Sequence, residues 1–324
     1  MDLVHTLYTR YAEELNAVKA NMQTALDGVP CNAEMGKILA EIIGHPGKML
    51  RPLLMILLAG DVTKAEKEEI LATAAGLELA HTSSLVLDDM LDRAAVRRGI
   101  PTVVNAYGDS VALCVGDYIL AASFRYLLER NYPLGAMEVV TVTQKCCNGE
   151  MIQDLNRKNT EISEKTYLEA IRGKTAYLFC SVCSIASRIT RRPPEVTETL
   201  FRYGEILGTL FQLRDDLLDW TAGAEELGKP VNKDFREGIY TLPAIFTFRH
   251  PVFGPELKAL AARAEYSDED LERARFLARA AGGIAYTRET MRQLAEEGMN
   301  LTGRLPGGEP IRETAGEIIQ ILCD

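Results

Sequence analysis

Apolar side chains recur at the i, i+3, i+4 spacing of an amphipathic helix through almost every segment of the chain, and no run alternates polar and apolar residues between hairpin turns. The pattern predicts an all-α protein. Proline and glycine fall where such helices stop or start, at Pro30, Pro46 and Gly47, Gly99 and Pro101, Pro133, Pro193 and Pro194, and Gly282 and Gly283, which predicts roughly ten or more helices. The longest cover 64 to 93, 108 to 130, 134 to 157, 163 to 190 and 196 to 220. Several are apolar nearly all round, as in AYLFCSVCSIA from Ala176 to Ala186, so they are expected to lie buried among other helices in a large antiparallel bundle. No linker, repeat or composition shift separates two halves, and one domain over 1–324 is expected despite the length. The polar stretch Thr221 to Gly238 is the main candidate for a long functional loop.

Composition adds exclusions. Charged residues make up 25% and hydrophobic residues 47%, the balance of an ordinary globular chain rather than a disordered one. The longest uninterrupted apolar run, Leu53 to Ala59, is far shorter than the ~20 residues of a membrane span, so no transmembrane helix is expected. The first residues lack the basic start and apolar run of a signal peptide, which points to the cytoplasm. A formal charge of −10 opposes nucleic-acid binding. Seven irregularly spaced cysteines do not form a disulfide framework, and Cys180 and Cys183, spaced CxxC inside an apolar helix, read as buried thiols.

The chemistry starts at Asp88-Asp89-Met90-Leu91-Asp92, at the end of an otherwise apolar helix. Asp88 and Asp92 project from one face about 6 Å apart, where two carboxylates repel unless a cation bridges them. A second copy, Asp215-Asp216-Leu217-Leu218-Asp219, follows 127 residues later, again after apolar sequence, and two such helices could face each other. Carboxylates without neighbouring His or Cys suit hard cations, and a site completed by water and phosphate oxygens is the habit of Mg²⁺. A di-iron carboxylate bundle needs Glu-x-x-His pairs, which none of the four histidines forms. Separated cations accompany the clusters: Lys48 and Arg51 in GKMLRP, Arg97-Arg98, Lys174-Thr175 and Lys229, a set suited to two polyphosphate sites.

In this combination the chain resembles the trans-polyprenyl diphosphate synthases. Six motifs carry the resemblance in order between Gly47 and Pro243: GKMLRP, LELAHTSSLVLDDMLDRAAVRRGIPT, Gly116-Asp117, GKTAYLF, YGEILGTLFQLRDDLLDW and GKPVNKDFREGIYTLP. The resemblance implies the isoprenoid synthase fold, an all-α bundle with a central cavity. It implies head-to-tail addition of isopentenyl diphosphate to an allylic diphosphate, with Asp88, Asp89, Asp92, Asp215, Asp216 and Asp219 as the metal set for Mg²⁺, three ions when diphosphate is bound. Arg97, Lys174, Thr175, Gln212 and Lys229 look like the allylic clamp, while Lys48, Arg51, His81 and Arg98 look like the isopentenyl diphosphate pocket. A homodimer is implied, and an accessory subunit is compatible with the motifs. Leu87 stands where many members carry histidine, and Ile239 where many short-chain members carry lysine.

Two further readings compete. A class I terpene cyclase shares the aspartate clusters but does not bind isopentenyl diphosphate, so the joint presence of Lys48, Arg51, His81 and Arg98 disfavours it. A noncatalytic subunit would be expected to lose its acidic clusters, and both are intact. Product length turns on the helix before the first cluster. Stepping back in fours from Asp88 gives Ser84, Ala80, Gly76 and Ala72, with the small Ser83 alongside, a stripe without large side chains that reaches about 18 Å below Asp88 at Gly76. A groove along it would admit chains longer than farnesyl, in the medium to long range, with the farnesyl and geranylgeranyl types as the alternative. The same smallness would equally let a neighbouring helix pack closely.

Overall fold

The computed structural model describes residues 3–221 and 232–323. Its helices in chain order are α1 (Leu3–Arg10), α2 (Ala12–Leu26), α3 (Ala33–Gly44), α4 (Leu50–Ala59), α5 (Lys64–Leu91), α6 (Val103–Tyr107), α7 (Asp109–Glu129), α8 (Pro133–Leu155), α9 (Glu164–Ile171), α10 (Tyr177–Ile189) and α11 (Pro194–Thr221). Shorter and longer helices follow from Lys233–Glu237 to Glu309–Cys323. Among the described residues the protein is all-α as the periodicity predicts, save a hairpin of two-residue strands, β1 (Val96–Arg97) with β2 (Ile100–Pro101).

The chain divides into two compact units. The first comprises Met1–Thr143, Ser181–Phe201 and Leu305–Ile311. At its centre lies α5, packed against α7, α2 and α4. A capping box of Thr63 and Glu66 starts α5 by satisfying the exposed N–H groups of the first turn. From Ile70 to Ala80 every residue is buried, which explains why no single apolar stripe stands out. A Schellman motif ends the helix: Arg93, at φ 50°, donates its N–H to Met90 O, and Ala94 N–H reaches back to Asp89 O. Small residues bring α5 close to α7, since a Cβ added at Gly116 would stand 2.8 Å from Leu87 Cδ2. Leu87, one of the two departures from the family pattern, is thus seated on α7.

By length and hydropathy α5 and α7 would both pass as membrane spans, which the criterion of uninterrupted apolar runs overlooked. Two-thirds of the α5 window is buried inside the protein, as suits a core helix.

The second unit comprises Gln144–Cys180, Arg202–Arg304 and Arg312–Asp324. Here the predicted continuous helix 163 to 190 runs unbroken from Glu164 to Ile189 but widens in a π-helical turn, Arg172–Ala176. Its cause is tertiary. A Cβ at Gly173 would lie 2.9 Å from Gly149 Cα, and one at Gly149 only 2.2 Å from Lys174 N, so two backbones touch where side chains would hold them apart. The turn presents Lys174 and Thr175. Most of the expected loop Thr221 to Gly238, with Lys229, lies outside the described residues; its last part is not a loop but the short helix Lys233–Glu237. Cys180 and Cys183 are buried thiols as expected, and burial pushes the Cys180 pKa up to about 12.

Candidate active site

Both acidic clusters sit in the last turns of their helices, α5 and α11. That end carries the negative pole of the helix dipole, where each carboxylate costs about 0.3–1 kcal/mol instead of stabilising the helix. The local sequence therefore opposes these aspartates, and a bound cation is what would offset the cost.

The two clusters are built alike. Asp88 is half-buried and Asp92 exposed, whereas Asp89 between them is 5% exposed and takes both oxygens to Arg97 Nε at 2.8 and 2.9 Å. Asp215 is exposed and Asp219 half-buried, whereas Asp216 is 3% exposed, accepting from Gln212 Nε2 at 2.7 Å and from the buried Tyr167 hydroxyl. The six aspartates of the expected metal set thus differ in surroundings, four reaching the surface of their clusters and two lying buried. The second aspartate of each cluster is turned inward and already hydrogen-bonded, an anchor for its neighbours. Thr175 Oγ1 donates to Gln212 Oε1 at 2.7 Å, so a polar chain runs from the π-turn to Asp216.

Asp219 accepts from the backbone N–H groups of Lys233 and Asp234 at 3.0 and 3.2 Å and so caps the short helix that follows. Asp234 joins this group, although no spacing in the chain marks it. Burial pushes Asp216 up to about 7, the charges of Asp215 and Asp219 adding to the effect while Tyr167 and Gln212 oppose it. Burial likewise raises Asp219, and it raises Asp234 well above the carboxylate range with help from Asp216, Asp219 and Asp215. Since these groups bind protons more tightly folded than unfolded, the folded state holds more protons between about pH 4 and 7, and stability falls as pH rises through that window. The ligand-free protein should therefore melt at a higher temperature at pH 6 than at pH 8, with a smaller difference in Asp216→Asn. A wild-type melting temperature that is flat or rises toward pH 8 would count against this charge crowding.

Among the described residues no three His, Cys, Asp or Glu side chains approach closely enough to enclose a metal by themselves. An all-oxygen donor set of one or two carboxylates per ion fits Mg²⁺, which keeps several waters and completes its shell with phosphate oxygens.

The cationic residues fall into place by unit. In the second, Lys174 Nζ pairs with Glu150 at 2.7 Å, a partner the sequence reading did not name. In the first, Arg97 and Ile100 flank a tight turn whose central residues, Arg98 and Gly99, have φ 52° and 82°, the two positive values a type I′ hairpin requires. Arg97 returns to Asp89, while Arg98 Nη1 donates to His45 O at 2.8 Å. Arg98 lies over Gly47, where φ is 70° and a Cβ would stand 2.4 Å from Arg98 Cζ, so a side chain there would be strained and would displace the guanidinium. Lys48 is exposed and its carbonyl accepts from the Tyr8 hydroxyl. Arg51 Nη1 lies 2.9 Å from His81 Nε2. Burial first, then the charges of Arg51, Arg98 and Arg97, hold His81 well below its ordinary pKa, so the ring is neutral and Nε2 accepts from Arg51.

The residues of the expected chain-length stripe have different surroundings. Ser84 is half-buried and Ala80 buried, but a Cβ at Gly76 would lie 2.7 Å from Leu127 Cδ1, and Ser83 Oγ donates to Gly116 O at 2.8 Å. Gly76 and Ser83 are thus helix-packing positions against α7, and Leu127 occupies the stripe at the level of Gly76.

Helices that end in paired carboxylates, with cations on other segments of the same unit, form an arrangement suited to a divalent cation and a diphosphate. A decaprenyl diphosphate synthase structure from Rhodobacter capsulatus superposes with a TM-score of 0.89 at 28% identity, covering 99% of this chain and 98% of that one. The heptaprenyl diphosphate synthase component 2 of Bacillus subtilis is 31% identical over 82% of this chain and 75% of its own length. The octaprenyl diphosphate synthase of Escherichia coli is 34% identical over 73% and 76%. Residues 32–276 match the polyprenyl synthetase family model, and the chain belongs to that family.

Proposed function

We propose that the protein elongates an allylic diphosphate with isopentenyl diphosphate to a medium- or long-chain all-trans polyprenyl diphosphate, its whole length acting as one catalytic domain. The observation that carries this reading is the pair of aspartate clusters at the unfavourable ends of apolar helices, on a chain whose relatives are named hepta-, octa- and decaprenyl diphosphate synthases. Asp88 and Asp92, and likewise Asp215 and Asp219, would hold Mg²⁺, which when bound neutralises charge on the departing diphosphate as a Lewis acid.

The chain's own residues orient and neutralise. Arg97, fixed by Asp89, and Lys174, presented by the π-turn, bind oxygens of the allylic diphosphate as its C–O bond ionises. Lys48, Arg51, His81 and Arg98 hold isopentenyl diphosphate so that its double bond attacks the allylic cation. The small apolar surface of α5 excludes water that would capture that cation. No side chain serves as nucleophile, and the departing diphosphate takes the proton. Lys229 belongs to the proposed clamp on the motif alone. A homodimer is the proposed assembly; an accessory subunit, suggested by the relative named as a synthase component, would add to it.

Purified protein with Mg²⁺, radiolabelled isopentenyl diphosphate and farnesyl diphosphate should yield labelled products longer than farnesyl, and a chelator should stop their formation. Consumption of the allylic substrate without incorporation of label would instead mark a cyclase.

A further inference from the structure

A buried acidic residue lies within electrostatic reach of Arg51 and Arg98. Glu78 precedes His81 by one turn of α5, so both side chains leave the helix on the same side. It is only 4% exposed, and its Oε2 makes no hydrogen bond. An unsatisfied buried carboxyl oxygen requires a reason, because removing it from water is costly. Its surroundings supply one. Burial raises its pKa, the guanidinium charges of Arg51 and Arg98 oppose that rise, and the Tyr8 phenol is pushed up to about 12 by its own burial and then by the Glu78 charge.

Lys48, Arg51 and Arg98 are like charges on long side chains, which would splay apart in an empty pocket. We propose that Glu78 is a positioning residue of the isopentenyl diphosphate pocket, its carboxyl being the counter-charge that keeps Arg51 turned to His81 and ready for the incoming diphosphate. The inference rests on the assignment of these cations to that pocket. A binding group held in place beforehand spends less of its interaction on ordering itself.

The test is a double-mutant cycle on steady-state kinetics, with each substrate varied in turn. Glu78→Gln, nearly isosteric but uncharged, should raise KM for isopentenyl diphosphate about tenfold and leave the allylic KM and saturated kcat within about twofold. In Arg51→Ala the same substitution should add nothing, because Glu78 acts through Arg51. Additive effects, an unchanged KM in Glu78→Gln, or equal rises for both substrates would overturn the proposal. If Glu78→Gln loses its cooperative melting transition, Glu78→Asp, which keeps the charge at a shorter reach, should show a smaller selective rise, and its absence would overturn the proposal equally. The underlying assignment fails separately: Arg51→Ala would then leave KM for isopentenyl diphosphate unchanged.

Discussion

Asp88→Asn and Asp215→Asn are each expected to lower turnover by about 10³-fold or more, the scale of losing one preorganised electrostatic group at a site of developing charge. Both side chains reach the surface of their cluster, while the anchors beside them, Asp89 and Asp216, keep their buried bonds. The fold should therefore survive. Each change also removes a negative charge from the negative pole of a helix, so the ligand-free variants should melt no lower than the wild type. Asp219 makes a poorer probe, because its replacement also uncaps the helix Lys233–Glu237. Circular dichroism and single-turnover rates in Mg²⁺ decide the matter. A variant with helical content intact and turnover within tenfold of wild type would refute the role of its cluster.

Ser84→Phe is expected to change the product itself. Ser84 lies one turn before Asp88 and is half-buried, and its hydroxyl is bonded only locally, to His81 O at 2.8 Å. An aromatic ring there would stand across the path of a chain descending from its diphosphate along α5. The products should shift wholly to short lengths, near farnesyl, while the rate of the first condensation is retained. Chromatography of labelled products tests this, and an unchanged distribution would show that the chain runs along another surface. Leu127 fills the stripe at Gly76, so a chain descending along this face would meet it there.

The parts of the molecule that could be read in its sequence are those whose cause is local. Helix α5 follows from a long segment free of proline and from Thr63 and Glu66, all within one continuous stretch. The DDxxD pairs could be read for the same reason, since i and i+4 share a helical face. The anchoring of Asp89 and Asp216 could not, because burial depends on Arg97 and Tyr167, which no helical period relates to them. Nor does a two-residue strand such as Val96–Arg97 leave a periodicity to detect. The π-turn follows from Gly149 lying against Gly173, a contact between separate helical segments. Glu78 did carry a signal, being the one charged residue in the apolar run from Ile70 to Ala80. Asp234 carried none, since its place beside Asp219 depends on how the chain returns after α11.

The hairpin at Arg98-Gly99 has a consequence for how the two substrates are spaced. Arg97 and Arg98 are successive residues that leave the turn in different directions, one to Asp89 and the other to His45. In the proposed assignment one serves the allylic diphosphate and the other the isopentenyl diphosphate. Their separation is then fixed by a single peptide unit, about 3.8 Å between Cα atoms. The turn works as a gauge block: inserting or deleting one residue there would shift both grips at once, whereas a substitution at either position would leave the backbone of the other in register.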